Sequence, residues 1–196
     1  DPGELLRRAE AAMAQAKREG RDGVCLYSES SMRDFEDRLA LGLHLRGAVE
    51  RDELDLHFQP QFSAADGSLV GFETLVRWSR SPLGEVPPGR FIPVAEALGL
   101  MPELGSRVLQ GACRQVRNWR EAGLAPPQVA VNISALQLLR ADFADEVAAL
   151  LQEHDVPATG LQIELTESLL MENVQRVRGT LDALRELGVS LALDDF

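Results

Sequence analysis

Cysteine is scarce in this chain: only Cys25 and Cys113 occur among 196 residues. Their spacing suits no zinc site, and apolar neighbours on both sides predict two buried, reduced thiols. No apolar run reaches the roughly 18 residues needed to span a bilayer. The N-terminus also lacks the pattern of a signal peptide. The segment therefore reads as cytoplasmic and free of membrane contact, although a longer parent could be anchored upstream. Basic residues are outnumbered, 20 Lys and Arg against 31 Asp and Glu, for a net charge of −11. Such a field repels DNA, RNA and anionic lipid, so no nucleic-acid polymer is expected as partner. A small anionic ligand stays admissible, because bound cations or one or two arginines reverse the sign locally.

What is present is ordinary for a globular protein: 45% hydrophobic and 26% charged residues, enough for one sizeable core. Residues 1–20 read as a helix capped by Asp1, with Pro2 in its first turn and Gly20 just past its end. Its apolar stripe is Leu5, Leu6, Ala9, Ala12, Met13 and Ala16. A short strand, Val24 to Tyr27, is expected next, and one helix plus one strand cannot bury an apolar face alone. A further helix is expected over 33–50, with Phe35, Leu39, Leu43 and Val49 on one face.

From Glu53 the texture changes. "LDLHFQPQF" and "LVGFETLVRW" alternate apolar and polar residues on either side of "AADGS", which predicts a hairpin. "SRSPLGEVPPGR" reads as a loop. Phe91 to Leu98 reads as a short helix, and a longer one carries Leu104 to Trp119. Then "VAVN", "LQIE" and "LALDDF" each stand as a strand, the first two followed by helices. Strands joined this way are parallel, and their spacing of about thirty residues is the repeat length of a βα-barrel.

These strands are apolar until they approach their ends, where each offers oxygen: Asn132, Glu164, Asp194 and Asp195. Glu73 sits late in the second hairpin strand. In a βα-barrel such ends converge on one face, where clustered carboxylates would repel one another unless a cation were bound. All-oxygen donors favour Mg²⁺ or Mn²⁺. A single acid at a strand end is more often a cap or a solvated loop residue, and only the ordered set raises it above that. Composition and spacing reach a metal-dependent barrel enzyme and name no substrate.

"HFQPQ", "GFETLVRW", "FIPVAE", "VAVNISALQL", "LQIELTES" and "LALDDF" stand in an order and spacing that resemble the EAL family of cyclic-di-GMP phosphodiesterases. The similarity covers roughly residues 53–196. It implies an α/β fold, a partial TIM-like (βα) barrel whose first strand pair is a hairpin and whose other strands are parallel. It also implies hydrolysis of cyclic di-GMP to pGpG with two divalent ions, Mg²⁺ or Mn²⁺. Glu73, Asn132, Glu164 and Asp194 would be metal ligands, with Asp195 ligating or bridging a second ion. Glu73, Asp194 and Asp195 would thus carry catalysis, Gln59 and Arg77 would contact substrate, and Glu167 would steady the loop after the "DDF" strand. On their own terms Gln59 reads as a barrel-mouth hydrogen bond and Arg77 as a surface ion pair.

The family's signature triplet reads Glu73-Thr74-Leu75 here, with threonine for the usual alanine. Side chains alternate along a strand, so Thr74 should face away from Glu73. Residues 1–28 are similar to the closing helix and strand of a GGDEF (diguanylate cyclase) domain, although Ala14 replaces the usual tyrosine and no GGDEF signature occurs. The expected organisation is therefore 1–28 as that remnant, 29–52 as a linker helix, and 53–196 as the N-terminal portion of an EAL domain that stops before its last strands. The chain alone is expected to be inactive. The alternatives are a non-catalytic cyclic-di-GMP sensor and a regulatory scaffold, and a homodimer of the parent is left open.

Overall fold

The computed structural model describes residues 1–18, 23–81 and 84–194, and the side chains of all of these except 18, 31, 80–81, 167–174 and 194. Among the described residues, seven α-helices and six strands follow one another: α1 (Pro2–Arg18), α2 (Glu29–Glu50), β1 (Asp55–Phe62), β2 (Leu69–Ser81), β3 (Gly84–Val86), α3 (Pro88–Ala97), α4 (Met101–Glu121), β4 (Val129–Asn132), α5 (Ala135–Leu138), α6 (Phe143–Glu153), β5 (Leu161–Thr166), α7 (Glu167–Glu186) and β6 (Ser190–Asp194). The sheet order is β1-β2-β4-β5-β6, with β3 paired to β2 off that path. β1 runs antiparallel to β2, whereas β2, β4, β5 and β6 are parallel neighbours. This mixed α/β sheet, with its helical crossovers, forms part of the wall of a TIM-like barrel.

The hairpin closes through a turn in which Gly67 takes φ +70°, a conformation glycine adopts without steric cost. Ser63 N donates to Ser68 O at 2.8 Å, and Ser68 N to Asp66 Oδ1 at 3.1 Å. Phe58 of β1 and Phe72 of β2 both pack on Trp119 of α4, with ring centroids 5.1 and 4.9 Å apart. One aromatic cluster thus ties the hairpin to the helix that leads into β4.

Two cores result. The larger lies between the sheet and helices α4, α6 and α7, and its strand residues include Val129, Val131, Leu161, Ile163 and Leu165. The smaller gathers Leu41, Leu45, Ala48 and Val49 of α2 with Trp78, Val86 and Phe91. It sits at the C-terminal end of β2, where Trp78 meets Phe91 edge-on at 5.8 Å.

Several expectations need correction. Val24 to Tyr27 forms no strand. Among the described residues nothing pairs with it, and Val24 is 96% exposed. Asp1 does cap α1, accepting from Gly3 N at 3.0 Å. The stripe of Leu5, Leu6 and Met13 is nevertheless exposed, and Ala11 is the residue that packs; Gly20 lies outside the described residues. In α2, leucines at 39, 41, 43 and 45 offer two competing faces. Contact with α3 and Trp78 selects Leu41 and Leu45 and leaves Leu39 and Leu43 exposed. The expected loop before α3 contains β3, and a short α5 precedes α6. Cys113 is buried as expected, but Cys25 is only half-buried.

Candidate functional site

Register decides which side chains share a face. Glu73 stands opposite Gln59 on β1 and Ala130 on β4, Asn132 opposite Glu164, and Glu164 opposite Ala192. Strand parity then places Gln59, Glu73, Leu75, Arg77, Asn132 and Glu164 on the sheet face away from the larger core. Thr74 lies in the other row, opposite Val131, and is buried among the helices. The alternation expected around the signature triplet is present.

Asn132 Nδ2 donates to Glu73 Oε1 at 3.1 Å. Glu164 is only 7% exposed, and Gln162 Nε2 donates to its Oε1 at 3.4 Å. A cavity of about 410 Å³ opens at these strand ends, lined among others by Arg77, Asn132, Glu164 and Thr166. Arg77 is half-buried there, with Nη1 donating to the Val76 carbonyl at 2.9 Å. A guanidinium and the oxygen-bearing side chains of Asn132, Glu164 and Thr166 thus meet in one concavity with largely apolar walls, an arrangement suited to an anionic ligand with flat apolar parts.

The remaining candidates are placed less fully. Asp194 aligns with Thr166, two residues beyond the row of Glu164, and its side chain lies outside the description. Glu167 opens α7 directly after β5, with its side chain likewise undescribed, and Asp195 lies outside the described residues. Among the described residues no three Asp, Glu, His or Cys side chains form a metal-holding group. The described carboxylates of the candidate set are Glu73 and Glu164, and Asn132 adds an amide. A carboxylate as buried as Glu164 requires a cation or hydrogen-bond donors to hold its charge. Hard oxygen donors on one face, with a buried acid among them, fit a divalent cation such as Mg²⁺ or Mn²⁺.

Sequence reasoning missed Gln137. It is 1% exposed and lines the same cavity. Ser134 N and Oγ donate to its Oε1 at 3.2 and 3.0 Å, closing the turn that follows Asn132. The Ser-x-x-Gln spacing of a capping box was the available signal.

Known proteins agree with this architecture. The EAL domain family model matches residues 43–196. The bifunctional diguanylate cyclase/cyclic di-GMP phosphodiesterase MucR of Pseudomonas aeruginosa is 40% identical over 193 residues, 98% of this chain and 28% of MucR. The cyclic di-GMP phosphodiesterase NbdA of the same organism is also 40% identical over 193 residues, covering 98% of this chain and 25% of NbdA. The chain thus spans between a quarter and a third of the length of these relatives. Among solved structures, the PaMucR phosphodiesterase in its c-di-GMP complex superposes with a TM-score of 0.75 at 40% identity, covering 80% of this chain and 64% of that one. From fold, strand-end chemistry and these matches together, the chain belongs to the EAL domain family.

Proposed function

We propose that the chain is the N-terminal part of a metal-dependent phosphodiesterase domain that hydrolyses cyclic di-GMP to pGpG. The supporting observation is the junction of Glu73, Asn132 and Glu164 at one sheet end, beside a cavity that also holds Arg77. In this reading Glu73, Asn132, Glu164, Asp194 and Asp195 hold two divalent ions, Mg²⁺ or Mn²⁺. Bound there, the ions would lower the pKa of water and neutralise phosphate charge. Arg77 offers a planar fork to a phosphate oxygen pair. Gln59, directly across from Glu73, hydrogen-bonds the nucleotide from the opposite strand. Glu167, at the start of α7, steadies the loop that follows β6.

The apolar cavity walls exclude water around the phosphodiester and strengthen each of these polar contacts. Thr74, facing the helices, stays out of the reaction. Residues 1–28 are proposed as the end of a GGDEF domain and 29–52 as the linker, supported by the alignment with bifunctional MucR over nearly the whole chain. A cytoplasmic location is proposed with them: no helix among the described residues is long and apolar enough to cross a membrane.

The test is calorimetric titration of a complete EAL domain carrying this chain with cyclic di-GMP, with and without Mg²⁺, alongside chromatography for pGpG. Turnover to pGpG supports the enzyme. Binding without turnover would make the domain a sensor, and neither would make it a scaffold. The 196 residues alone are expected to give no turnover and to aggregate, because among the described residues β1 and β6 each have one unpaired edge in the sheet.

A further inference from the structure

Two polar atoms in the cavity wall have no hydrogen-bond partner among the described residues: Thr74 Oγ1 and Gln137 Nε2. Thr74 is 4% and Gln137 1% exposed, so bulk solvent serves neither. Both residues line the cavity that Asn132 and Glu164 share. The orientation of the Gln137 amide is set by chemistry. Ser134 N–H can only donate, and it points at Oε1, so Nε2 must turn the other way with both its hydrogens. Across from it, α4 presents the bare backbone of Gly105, where any Cβ would overlap the amide. Buried donors and acceptors are seldom left without a partner.

The two atoms belong to the two segments that build the site. Thr74 follows Glu73 on β2. Gln137 holds Ser134, two residues past Asn132. Anything that joins Thr74 to Gln137 therefore fixes the spacing of the strand tips whose side chains meet in the Glu73–Asn132 hydrogen bond.

We propose that one water bound at the inner end of this cavity accepts from Gln137 Nε2 and bridges to Thr74 Oγ1, making Thr74 and Gln137 positioning residues for the Glu73–Asn132 pair. A buried water needs room for roughly one probe sphere and two to four polar partners. The cavity has about 410 Å³ of space, and Thr74 and Gln137, which carry the two unpartnered atoms, are among its lining residues. Neither residue touches substrate; each acts through the backbone of its own strand or turn. The consequence for cation binding rests on the metal-dependent reading above, whereas the water itself does not.

The test uses a complete EAL domain carrying this chain, in crystals that resolve ordered water, and calorimetry with Mn²⁺ alone. The wild type is expected to show density within hydrogen-bond distance of both atoms. Thr74→Val, equal in shape but lacking the hydroxyl, is expected to lose that water and bind Mn²⁺ roughly tenfold more weakly, with its thermal unfolding midpoint unchanged. Thr74→Ser is expected to keep both. A protein acceptor found on Gln137 Nε2, no water in the wild type, or unaltered Mn²⁺ affinity in Thr74→Val overturns the proposal. So does a loss of affinity that tracks a lowered unfolding midpoint. If the wild-type domain binds no divalent cation, the proposed function fails instead, and the presence of the water is still decided by the crystal.

Discussion

Asn132 and Glu73 lie 59 residues apart in the chain, yet the Asn132 amide donates to the Glu73 carboxylate at 3.1 Å. Parallel pairing of β2 with β4 creates this contact, since Glu73 aligns with Ala130 and Asn132 stands one inward-facing position further along. Because Nδ2 faces Glu73, the amide oxygen of Asn132 is left to face elsewhere in the mouth, where a cation could use it.

In a complete EAL domain carrying this chain, Glu73→Ala is expected to reduce pGpG formation to background, as loss of an oxygen ligand would. Thr74→Ala, on the opposite strand face, is expected to stay within a few-fold of wild type at saturating divalent cation. Steady-state rates by chromatography would show it, and the reverse ranking would defeat the parity argument.

Gly105→Ala is expected to destabilise the domain by about 1–3 kcal/mol, the usual cost of overpacking a filled site. The new methyl group overlaps the Gln137 amide, which Ser134 holds from the other side. Gly111→Ala overlaps only the end of the half-buried Leu56 side chain, which can swing away, so it should cost less. Urea unfolding of the two variants would rank them.

Trp78→Ala is expected to cost about 3–5 kcal/mol, as for large aromatic residues removed from a core. Trp78 is fully buried and stacks edge-on against Phe91. The loss should loosen α2 and α3 first, read as faster hydrogen exchange in those helices than in β4 or β5.

Burial pushes the Cys113 thiol up from 9.0 to about 11. The folded state therefore holds this proton more tightly than the unfolded chain does. The resulting stability is fully present below pH 9 and is lost as pH rises through about 11, a difference of roughly 2–3 kcal/mol. Thermal melts of wild type and Cys113→Ala across pH 8–11 should converge toward high pH. Parallel curves would show that the thiol is more accessible than its burial indicates.

The alternating strands and their helical crossovers were legible because period and length agreed at each element: "VAVN", "LQIE" and "LALD" are strands in the expected order. The placement of Glu73, Asn132 and Glu164 on one face followed from the same logic. Register was not legible. Spacing suggested three equivalent strand ends, whereas Asp194 aligns with Thr166 rather than with Glu164. The packing face of α2 was hidden for another reason. Leucines on both flanks make the pattern degenerate, and only the pocket around Trp78 breaks the tie. β3 exists because β2 offers it a partner, and three residues carry no periodicity of their own.

Because β1 runs antiparallel to β2, Asp55 at its start stands opposite Arg77, and Ser79 Oγ donates to Asp55 Oδ2 at 2.6 Å. The polypeptide thus enters the barrel wall from the rim that bears the site, not from the floor. A twist or pull applied along α2 reaches the strand end beside Arg77 after one short turn, without passing through the parallel strands. The domain's inlet and its working surface are mechanically the same place.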